Sequence, residues 1–400
     1  MIRFRPGFAR KGIRISVIIA NLQVTGLCAV TGEGMYEVIV IGGGLLGMLS
    51  ARELARAGRR VALFDRGLTG RESTWAGGGI LSPLYPWRFD DAVNALARWA
   101  QPRYAAFAGQ LREESGIDPE YEPSGLLILD SDEREAALAW ARRWQVDLQA
   151  VGAADIRQLE PQLGPVPEQA LWLPEVGQLR NPRLGRAVRG SLDALEVAVY
   201  EQQPVDALLI EDGRVHGVKS RGETFRADQV IIAGGAWSAG LLESLGIELA
   251  VRPVRGQMIL YRGEPGRIRR IVLSQDRYVI PRRDGRVLVG STIEEVGFDK
   301  STTEEALATL REAGEWLVPA LGDWPVEHQW AGLRPGSPHG IPYIGEVPGV
   351  AGLYLNTGHF RNGVVLGLAS ARLLADLLLG REPIVPPAPY QAVAGGPGDE

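Results

Sequence analysis

The chain has 400 residues, which exceeds one ordinary domain, and its 45% hydrophobic and 23% charged content is typical of a globular protein with a substantial core. The formal net charge of −5 gives no reason to expect nucleic acid or an anionic membrane surface as a partner. The single cysteine, Cys28, excludes an intramolecular disulfide, a dithiol redox pair, a thiolate zinc site and an iron–sulfur cluster, and we predict no metal site.

The first 34 residues differ in composition from the rest of the chain. A basic start precedes a mildly apolar run from Ile15 to Val30, but this run contains polar residues and no clear small-x-small cleavage site. It is also too short and too polar to span a membrane. We expect residues 1–34 to be a leader that is disordered or not native, with Met35 as the natural start. A targeting segment is the remaining alternative.

The most specific pattern follows directly. A β-branched strand at residues 36–41 ends in Gly42-x-Gly44-x-x-Gly47 and passes into a predicted helix over residues 45–57. The first glycine permits a tight turn, the second lets the backbone approach a pyrophosphate, and the third allows close helix–strand packing. The free N–H groups at the helix N-terminus would face the phosphates. This order predicts a dinucleotide site.

A second buried strand over residues 60–64 ends in Asp65, which lies where a ribose-binding acid is expected. Apolar runs at residues 230–235 and 352–358 are typical of strands covered on both faces, so we assign them to the same parallel sheet. The nucleotide-binding domain is therefore predicted to be assembled from separated segments.

Residues 252–294 have a different sequence pattern. Short strand patterns at 257–261, 278–281 and 286–291 surround the turn Arg283-Asp284-Gly285, which predicts an antiparallel sheet and hence a second domain. Charged residues flank a predicted helix over 132–145 as the helix dipole favours, and residues 301–304 resemble a capping box.

The predicted fold class is α/β, with a Rossmann-like nucleotide-binding domain and a discontinuous antiparallel-sheet substrate domain. We assign the first domain to residues 35–85, 150–245 and 325–385 and the second to residues 86–149 and 246–324. Residues 386–400, rich in proline and glycine, are predicted to be a disordered tail.

Five ordered motifs carry a family resemblance that extends over residues 35–385. They are residues 42–47, 73–80, 233–238, 331–336 and 358–363. Together they resemble the FAD-dependent amino acid oxidases of the D-amino acid oxidase superfamily, most closely the bacterial glycine oxidases. The fold this implies is D-amino acid oxidase-like.

The resemblance implies a noncovalent FAD. Covalent-flavin sarcosine oxidases attach the ring through a cysteine near the C-terminal motifs, whereas Cys28 precedes the first strand. By resemblance, a helix N-terminus within residues 358–366 would lie at the flavin C2 carbonyl and stabilise the charge of the reduced ring. The residues implied in FAD binding are Gly42, Gly44, Leu45, Leu46, Gly47, Asp65, Arg66, Ser73, Thr74, Gly78, Gly79, Ile80, Val205, His359, Phe360, Arg361, Asn362, Gly363, Val364 and Val365.

A substrate site is implied by the same resemblance. Arg334 would bind the amino acid carboxylate, since a guanidinium fork binds a carboxylate bidentately. Tyr278 would donate its hydroxyl to that carboxylate, and Arg361 would line the site beside the flavin. We predict no catalytic acid or base, and we expect His359 to be structural. Ile293 and Ser82 replace residues typical of glycine oxidases and are predicted to alter pocket volume.

The implied reaction is oxidative deamination of glycine and other small amines, such as sarcosine and small D-amino acids. Hydride would pass to the flavin, and O2 would reoxidise it to give H2O2, with ammonia and glyoxylate formed or the imine supplied to the thiazole of thiamine. The alternative is a D-amino acid or secondary-amine dehydrogenase that passes electrons to a quinone; a non-catalytic flavin-binding module is a further class. The protein is expected to be cytoplasmic and homo-oligomeric, without stable membrane association; a homotetramer would fit the resemblance.

We expect a chain that begins at Met35 to fold and to retain FAD as well as the 400-residue chain, because the first predicted strand starts at residue 36. The measurement is the flavin content and solubility of the two purified proteins. Loss of solubility on truncation would contradict the expectation that residues 1–34 are dispensable.

Overall fold

The computed structural model describes residues 36–130, 132–243 and 245–392, so the predictions for residues 1–34 and Cys28 lie outside the described residues. The strands are β1 (Tyr36–Ile41), β2 (Val61–Phe64), β3 (Leu126–Ile128), β4 (Gln149–Gly152), β5 (Gln169–Leu173), β6 (Ala198–Tyr200), β7 (Ala207–Glu211), β8 (Arg214–Ser220), β9 (Glu223–Ile232), β10 (Arg252–Arg262), β11 (Ile271–Ser274), β12 (Arg277–Pro281), β13 (Arg286–Gly290), β14 (Val326–Gly336), β15 (Tyr343–Glu346) and β16 (Leu353–Thr357). The α-helices are α1 (Leu45–Arg56), α2 (Ser73–Ala76), α3 (Asp91–Ala100), α4 (Tyr104–Ser115), α5 (Arg134–Trp144), α6 (Ala153–Leu159), α7 (Asn181–Ala194), α8 (Ser238–Glu243), α9 (Glu304–Leu317) and α10 (Gly363–Leu378).

The first sheet carries the glycine-rich turn. Its main strand order is β15-β16-β9-β1-β2-β6, and β7 and β8 extend it beside β9. Strand β1 pairs in parallel with β2 and β9, and β16 pairs in parallel with β9. Val38 and Val40 pack into one apolar cluster and Ile39 and Ile41 into another, so both faces of β1 are covered. This explains its continuous apolar sequence and confirms the parallel sheet predicted from the three runs.

The second sheet is antiparallel except where β11 pairs with β3, and its order is β14-β10-β13-β12-β11-β3-β5-β4. The predicted hairpin is confirmed as β12 and β13. Alternation along β12 places Val279 in a cluster with α9 residues and sends Tyr278 and Ile280 to the opposite face. The face that carries Tyr278 packs against the loop that contains Gly78.

The strand pairing differs from the predicted domain segments. Strands β4, β5 and β14 lie in the second sheet, although residues 150–245 and 325–385 were expected in the nucleotide-binding domain. Helices α3 and α4 pack with α1, α7 and α10 in the core beside the first sheet, although residues 86–149 were expected in the substrate domain. Short apolar runs do not reveal which sheet a strand joins, because pairing is decided by contacts distant in sequence.

Two local expectations also change. Residues 386–392 are not a disordered tail, because Tyr390 is 2% exposed and its hydroxyl donates to the Ala92 carbonyl at 2.8 Å. The N-cap of α9 is Thr303 and not Ser301, the first residue of the predicted capping box. The Thr303 hydroxyl accepts a hydrogen bond from the Ala306 N–H at 3.2 Å. Within the described ranges, no helix combines the length and apolar character needed to cross a bilayer.

Candidate active site

In the glycine-rich turn between β1 and α1, two glycines are required by packing and one leaves open space. Gly42 has φ of +111°, and a Cβ there would overlap the Ala233 carbonyl. A Cβ on Gly47 would overlap the Gly42 carbonyl, so both glycines are required by packing. A Cβ on Gly44 would instead meet only the Thr74 hydroxyl, at 3.6 Å. The protein itself leaves room at Gly44, which is where a ligand would approach the backbone.

The start of α1 is held by polar groups from distant segments. The Leu45 N–H donates to the Thr74 hydroxyl oxygen at 2.8 Å, which leaves the hydroxyl proton of Thr74 free to donate. The Asp65 carboxylate accepts the N–H groups of Gly43 and Gly67 at 2.6 and 2.7 Å. Burial raises the pKa of Asp65, and the two backbone hydrogen bonds oppose that rise. Asp65 thus stabilises the turn by these hydrogen bonds, and its carboxylate oxygens still have free lone pairs for a ribose hydroxyl.

A cleft of about 270 Å³ opens beside this turn. Gly42, Gly44, Asp65 and Val205 line it, together with Arg66, whose guanidinium carbon lies 3.8 Å above the Trp237 ring. The remaining lining comes from the ends of β1, β2, β14 and β16, from the start of α1 and from the segments at 72–74, 203–204 and 233–241, and it includes the polar side chains of Glu72, Gln203 and Asn356. A cleft lined by a helix N-terminus and by an acid that follows the neighbouring parallel strand suits the adenosine diphosphate half of a dinucleotide.

A second cleft of about 120 Å³ continues from the first. Both clefts are lined by Leu45, Leu46, Ser73, Thr74, Pro335 and His359. The second is lined further by residues of the 73–80 motif, of the antiparallel sheet and of the start of α10, namely Gly77, Gly78, Gly79, Ile80, Ser82, Leu84, Asn181, Met258, Tyr278, Ser291, Arg334, Phe360, Arg361, Asn362, Gly363 and Val364. Segments far apart in sequence therefore converge on one continuous site.

The structure brings all but two of the predicted site residues to the lining of this site. Gly47 is buried at the packing contact with Gly42. Val365 belongs to the first turn of α10 and is 1% exposed, packed in the core. Neither lines a cleft. Their positions in the motifs are explained by the packing of α1 and α10.

Arg334 has no carboxylate partner within 4.0 Å in the part of the chain that the structure describes. Its guanidinium donates to the Ser291 hydroxyl at 2.8 Å and to the carbonyls of Thr292 and Arg255 at 3.1 and 3.3 Å. Burial lowers the pKa of Arg334 to about 10, so the side chain stays charged at neutral pH. A cation held this way, with one edge on an open cleft, is suited to bind an anionic ligand.

Tyr278 and Arg361 complete the same end of the cleft. Tyr278 is 5% exposed; its hydroxyl makes a weak contact, at 3.8 Å, with the Met258 sulfur, and its interaction with Arg334 opposes the lowering of the pKa of that guanidinium. Arg361 pairs through Nη1 with the half-exposed Asp276 at 3.4 Å. Its Nη2 is buried without a hydrogen-bond partner among the described residues. The two side chains thus offer free donors to a ligand.

The start of α10 presents unsatisfied groups to the cleft. Phe360 has φ of +45° and Asn362 is the N-cap, so the chain turns sharply before the helix. The Nδ2 atom of Asn362 and the Oδ1 atom of Asn181, two residues that line the second cleft, are buried without partners among the described residues, as is the Oδ1 atom of Asn356 in the first cleft. Buried polar atoms are nearly always hydrogen-bonded. Both donors and acceptors are therefore available here, as the heteroatoms of an isoalloxazine ring require.

His359 is 1% exposed, and its Nε2 atom lies 2.9 Å from the Ser370 hydroxyl. Burial lowers the pKa of His359 to about 3, so the imidazole is neutral at pH 7. The unfolded chain, with a histidine pKa near 6.5, binds more protons than the folded one below that pH. The free energy of unfolding therefore keeps the full contribution of a neutral His359 above pH 6.5 and loses it progressively as the pH falls.

We expect His359→Gln to flatten this pH dependence. Between pH 6.5 and 5.0 the native chain should lose roughly 1–2 kcal/mol more of its free energy of unfolding than the variant. The measurement is urea unfolding at both pH values with a fixed excess of FAD. His328→Gln, at an exposed site, is the matched control. Equal losses in the native chain and in His359→Gln would contradict the buried neutral imidazole.

Some lining residues carry no motif signal of their own. Asn181 donates from Nδ2 to the Thr74 carbonyl at 2.9 Å, and its segment has no recognisable pattern. Ser291 supports Arg334, but its segment signals only a strand and not a place in the site. Trp237 lies within the 233–238 motif, but its stacking with Arg66 depends on the tertiary fold. Of the two positions predicted to change pocket volume, Ser82 lines the cleft, whereas Ile293 is 48% exposed and does not.

The comparisons with known proteins agree with this geometry. The sequence matches the DAO family, described as FAD dependent oxidoreductase, over residues 37–377. The chain therefore belongs to this family of enzymes, and FAD is its cofactor. The residues present fit FAD, given the space at Gly44, the free donors at the second cleft and the unsatisfied amides around it.

Individual relatives narrow the class to the glycine oxidase type. The chain is 53% identical over 357 residues to a glycine oxidase of Pseudomonas aeruginosa, covering 88% of this chain and 98% of that protein. It is 32% identical to the bifunctional protein ThiO/ThiG of Synechocystis, covering 86% of this chain and 52% of that protein. The solved structure of glycine oxidase from Geobacillus kaustophilus superposes with a TM-score of 0.85 at 28% identity, covering 90% and 99% of the two chains.

Proposed function

We propose that this protein oxidises glycine and other small amines, such as sarcosine and small D-amino acids, with O2 as electron acceptor. The products would be H2O2, ammonia and glyoxylate. The observation that carries the proposal is Arg334, a guanidinium without a carboxylate partner among the described residues, in the cleft that the FAD-binding loops line. The 53% identical glycine oxidase supports the choice of substrate.

The chain's own residues account for substrate binding and orientation. Arg334 would hold the substrate carboxylate with its two-pronged fork, and the Tyr278 hydroxyl would donate to the same group. Ser291 and two backbone carbonyls fix the guanidinium, so the carboxylate would be received in one orientation. Binding in a fixed orientation can supply much of the rate enhancement of a two-reactant step.

Bound FAD would supply the hydride acceptor and, once reduced, the reactivity toward O2. The protein would place the Cα–H bond toward the flavin and keep the amine neutral. His359 is not suited to act as a base, because burial holds its pKa low and Ser370 occupies Nε2. The reaction as proposed therefore needs no acid or base from the chain.

The imine formed from glycine would supply the thiazole of thiamine, which the 32% identity to a bifunctional ThiO/ThiG protein supports. The family resemblance supports a cytoplasmic location and a homo-oligomeric assembly, with a tetramer as the state that fits it.

The test is the visible spectrum of the purified protein during anaerobic addition of glycine and then air. We expect the flavin bands to bleach with glycine and to return with air as peroxide forms. Bleaching by D-alanine and not by glycine would move the substrate class to D-amino acids. Bleaching that air does not reverse, but a soluble quinone does, would favour the dehydrogenase alternative and overturn the oxidase proposal.

A further inference from the structure

Arg282 is a buried arginine behind the flavin-facing loop. It follows β12 and is 8% exposed. Its Nη1 atom donates to the side-chain oxygen of Gln178 at 2.7 Å and to the Leu179 carbonyl at 3.0 Å, and its Nη2 atom donates to the Gly78 carbonyl at 2.6 Å. All three acceptors are neutral.

No carboxylate lies within 4.0 Å of Arg282 in the described ranges. The charged side chains that act on Arg282 are Arg180, Glu120 and Asp284, and Arg180 pairs with both carboxylates, at 3.2 and 2.9 Å. Burial lowers the pKa of Arg282 to about 10, and the charge of Arg180 adds to this, but the side chain remains a cation at neutral pH. A buried unpaired charge is costly, so its retention calls for a role.

The contact with Gly78 sets the orientation of one peptide unit. A peptide group is planar, with its C=O and N–H pointing in opposite directions. Because the Gly78 carbonyl is directed at Arg282, the Gly79 N–H points away from Arg282, and it donates to no described residue. Gly78 and Gly79 both line the second cleft. The free N–H is therefore available to a ligand there.

The surrounding packing leaves this peptide little freedom. A Cβ on Gly78 would lie 2.9 Å from Cδ1 of Ile280 and 3.5 Å from the Tyr278 hydroxyl. Gly79 has φ of +80°, and a Cβ there would overlap the Leu179 carbonyl, which Arg282 also contacts. One guanidinium thus holds both sides of the turn on which the flavin would rest.

We propose that Arg282 is a positioning residue for the flavin, holding the Gly78–Gly79 peptide with its N–H free for the isoalloxazine and placing a buried positive charge behind it. A flavin that has gained two electrons carries more negative charge than the oxidised ring, so a fixed cation nearby favours the reduced form. This inference rests on the FAD site and is independent of which amine is oxidised.

The test compares Arg282→Gln with the native holoenzyme by the two-electron midpoint potential of bound FAD and by the Kd for FAD. We expect reduced FAD to lose at least tenfold in affinity relative to oxidised FAD, a shift of about 30 mV to more negative potential. Arg283→Gln is the matched control, because Arg283 is the next residue and loses the same charge. The Arg283 side chain is 50% exposed and pairs with Asp118 and Glu122. In Arg283→Gln the midpoint potential of bound FAD and the Kd for FAD should therefore stay native.

Arg282→Lys keeps the charge but cannot hold three acceptors in one plane. This second variant tests the proposal if Arg282→Gln does not fold. We expect a potential closer to the native one and a Kd for FAD raised at least threefold. A potential and a Kd in Arg282→Gln that equal the native values would overturn the proposal. So would a native Kd in Arg282→Lys, or a shift of the same size in Arg283→Gln. None of these readouts depends on turnover of glycine.

Discussion

Replacing Arg334 by alanine is expected to raise KM for glycine by about 30-fold to 3,000-fold while FAD remains bound. Truncating one partner of a buried, hydrogen-bonded charge pair costs about 2–5 kcal/mol, and each 1.4 kcal/mol is tenfold in affinity. The guanidinium fork is held by Ser291 and two backbone carbonyls, and nothing else among the described residues competes for it with a negative charge. The measurement is steady-state kinetics with flavin content determined for each preparation.

Two variants sharpen this expectation. Arg334→Lys retains a charge without the bidentate fork, so its KM should lie between the native and alanine values. Arg252→Ala removes an arginine from the adjacent strand β10, where the side chain is 71% exposed and pairs with exposed Glu295; its KM should be native. A native KM and kcat in flavin-loaded Arg334→Ala would exclude Arg334 as the carboxylate anchor.

Alanine at Gly44 and at Gly47 should separate cofactor binding from folding. At Gly44 the protein leaves room for a methyl group, so Gly44→Ala should keep the native melting temperature of the apoprotein while weakening FAD binding at least tenfold, about 1.4 kcal/mol. At Gly47 a methyl group would overlap the Gly42 carbonyl, and such overpacking costs about 1–3 kcal/mol. Gly47→Ala should therefore lower the stability of the apoprotein itself.

The measurements are thermal unfolding of both apoproteins and FAD titration by quenching of flavin fluorescence. Gly58→Ala is a suitable control for the alanine change, because a Cβ there meets nothing within 4 Å, although its φ of +84° makes some loss of stability expected. Native FAD affinity in Gly44→Ala would show that the backbone at this turn does not approach the cofactor as closely as the fold implies.

Local sequence was sufficient for the first βαβ unit and for the β12–β13 hairpin. In both cases the deciding residues are neighbours along the chain. Glycines at fixed spacing permit the turn into α1, and Asp284-Gly285 allows the hairpin to reverse, with Gly285 at φ of +87°. The ordered motifs also identified the FAD-binding class, and most of their residues line the two continuous clefts.

Other features were decided only by the tertiary structure. The pairing of β4, β5 and β14 with the second sheet, and the packing of Tyr390 against α3, depend on contacts between residues far apart in sequence. Arg282 and Arg283 are adjacent arginines, yet one is buried behind the flavin loop and the other half-exposed in ion pairs. Composition and spacing cannot distinguish them, because a side chain's charge partners and burial are set by the segments that fold against it.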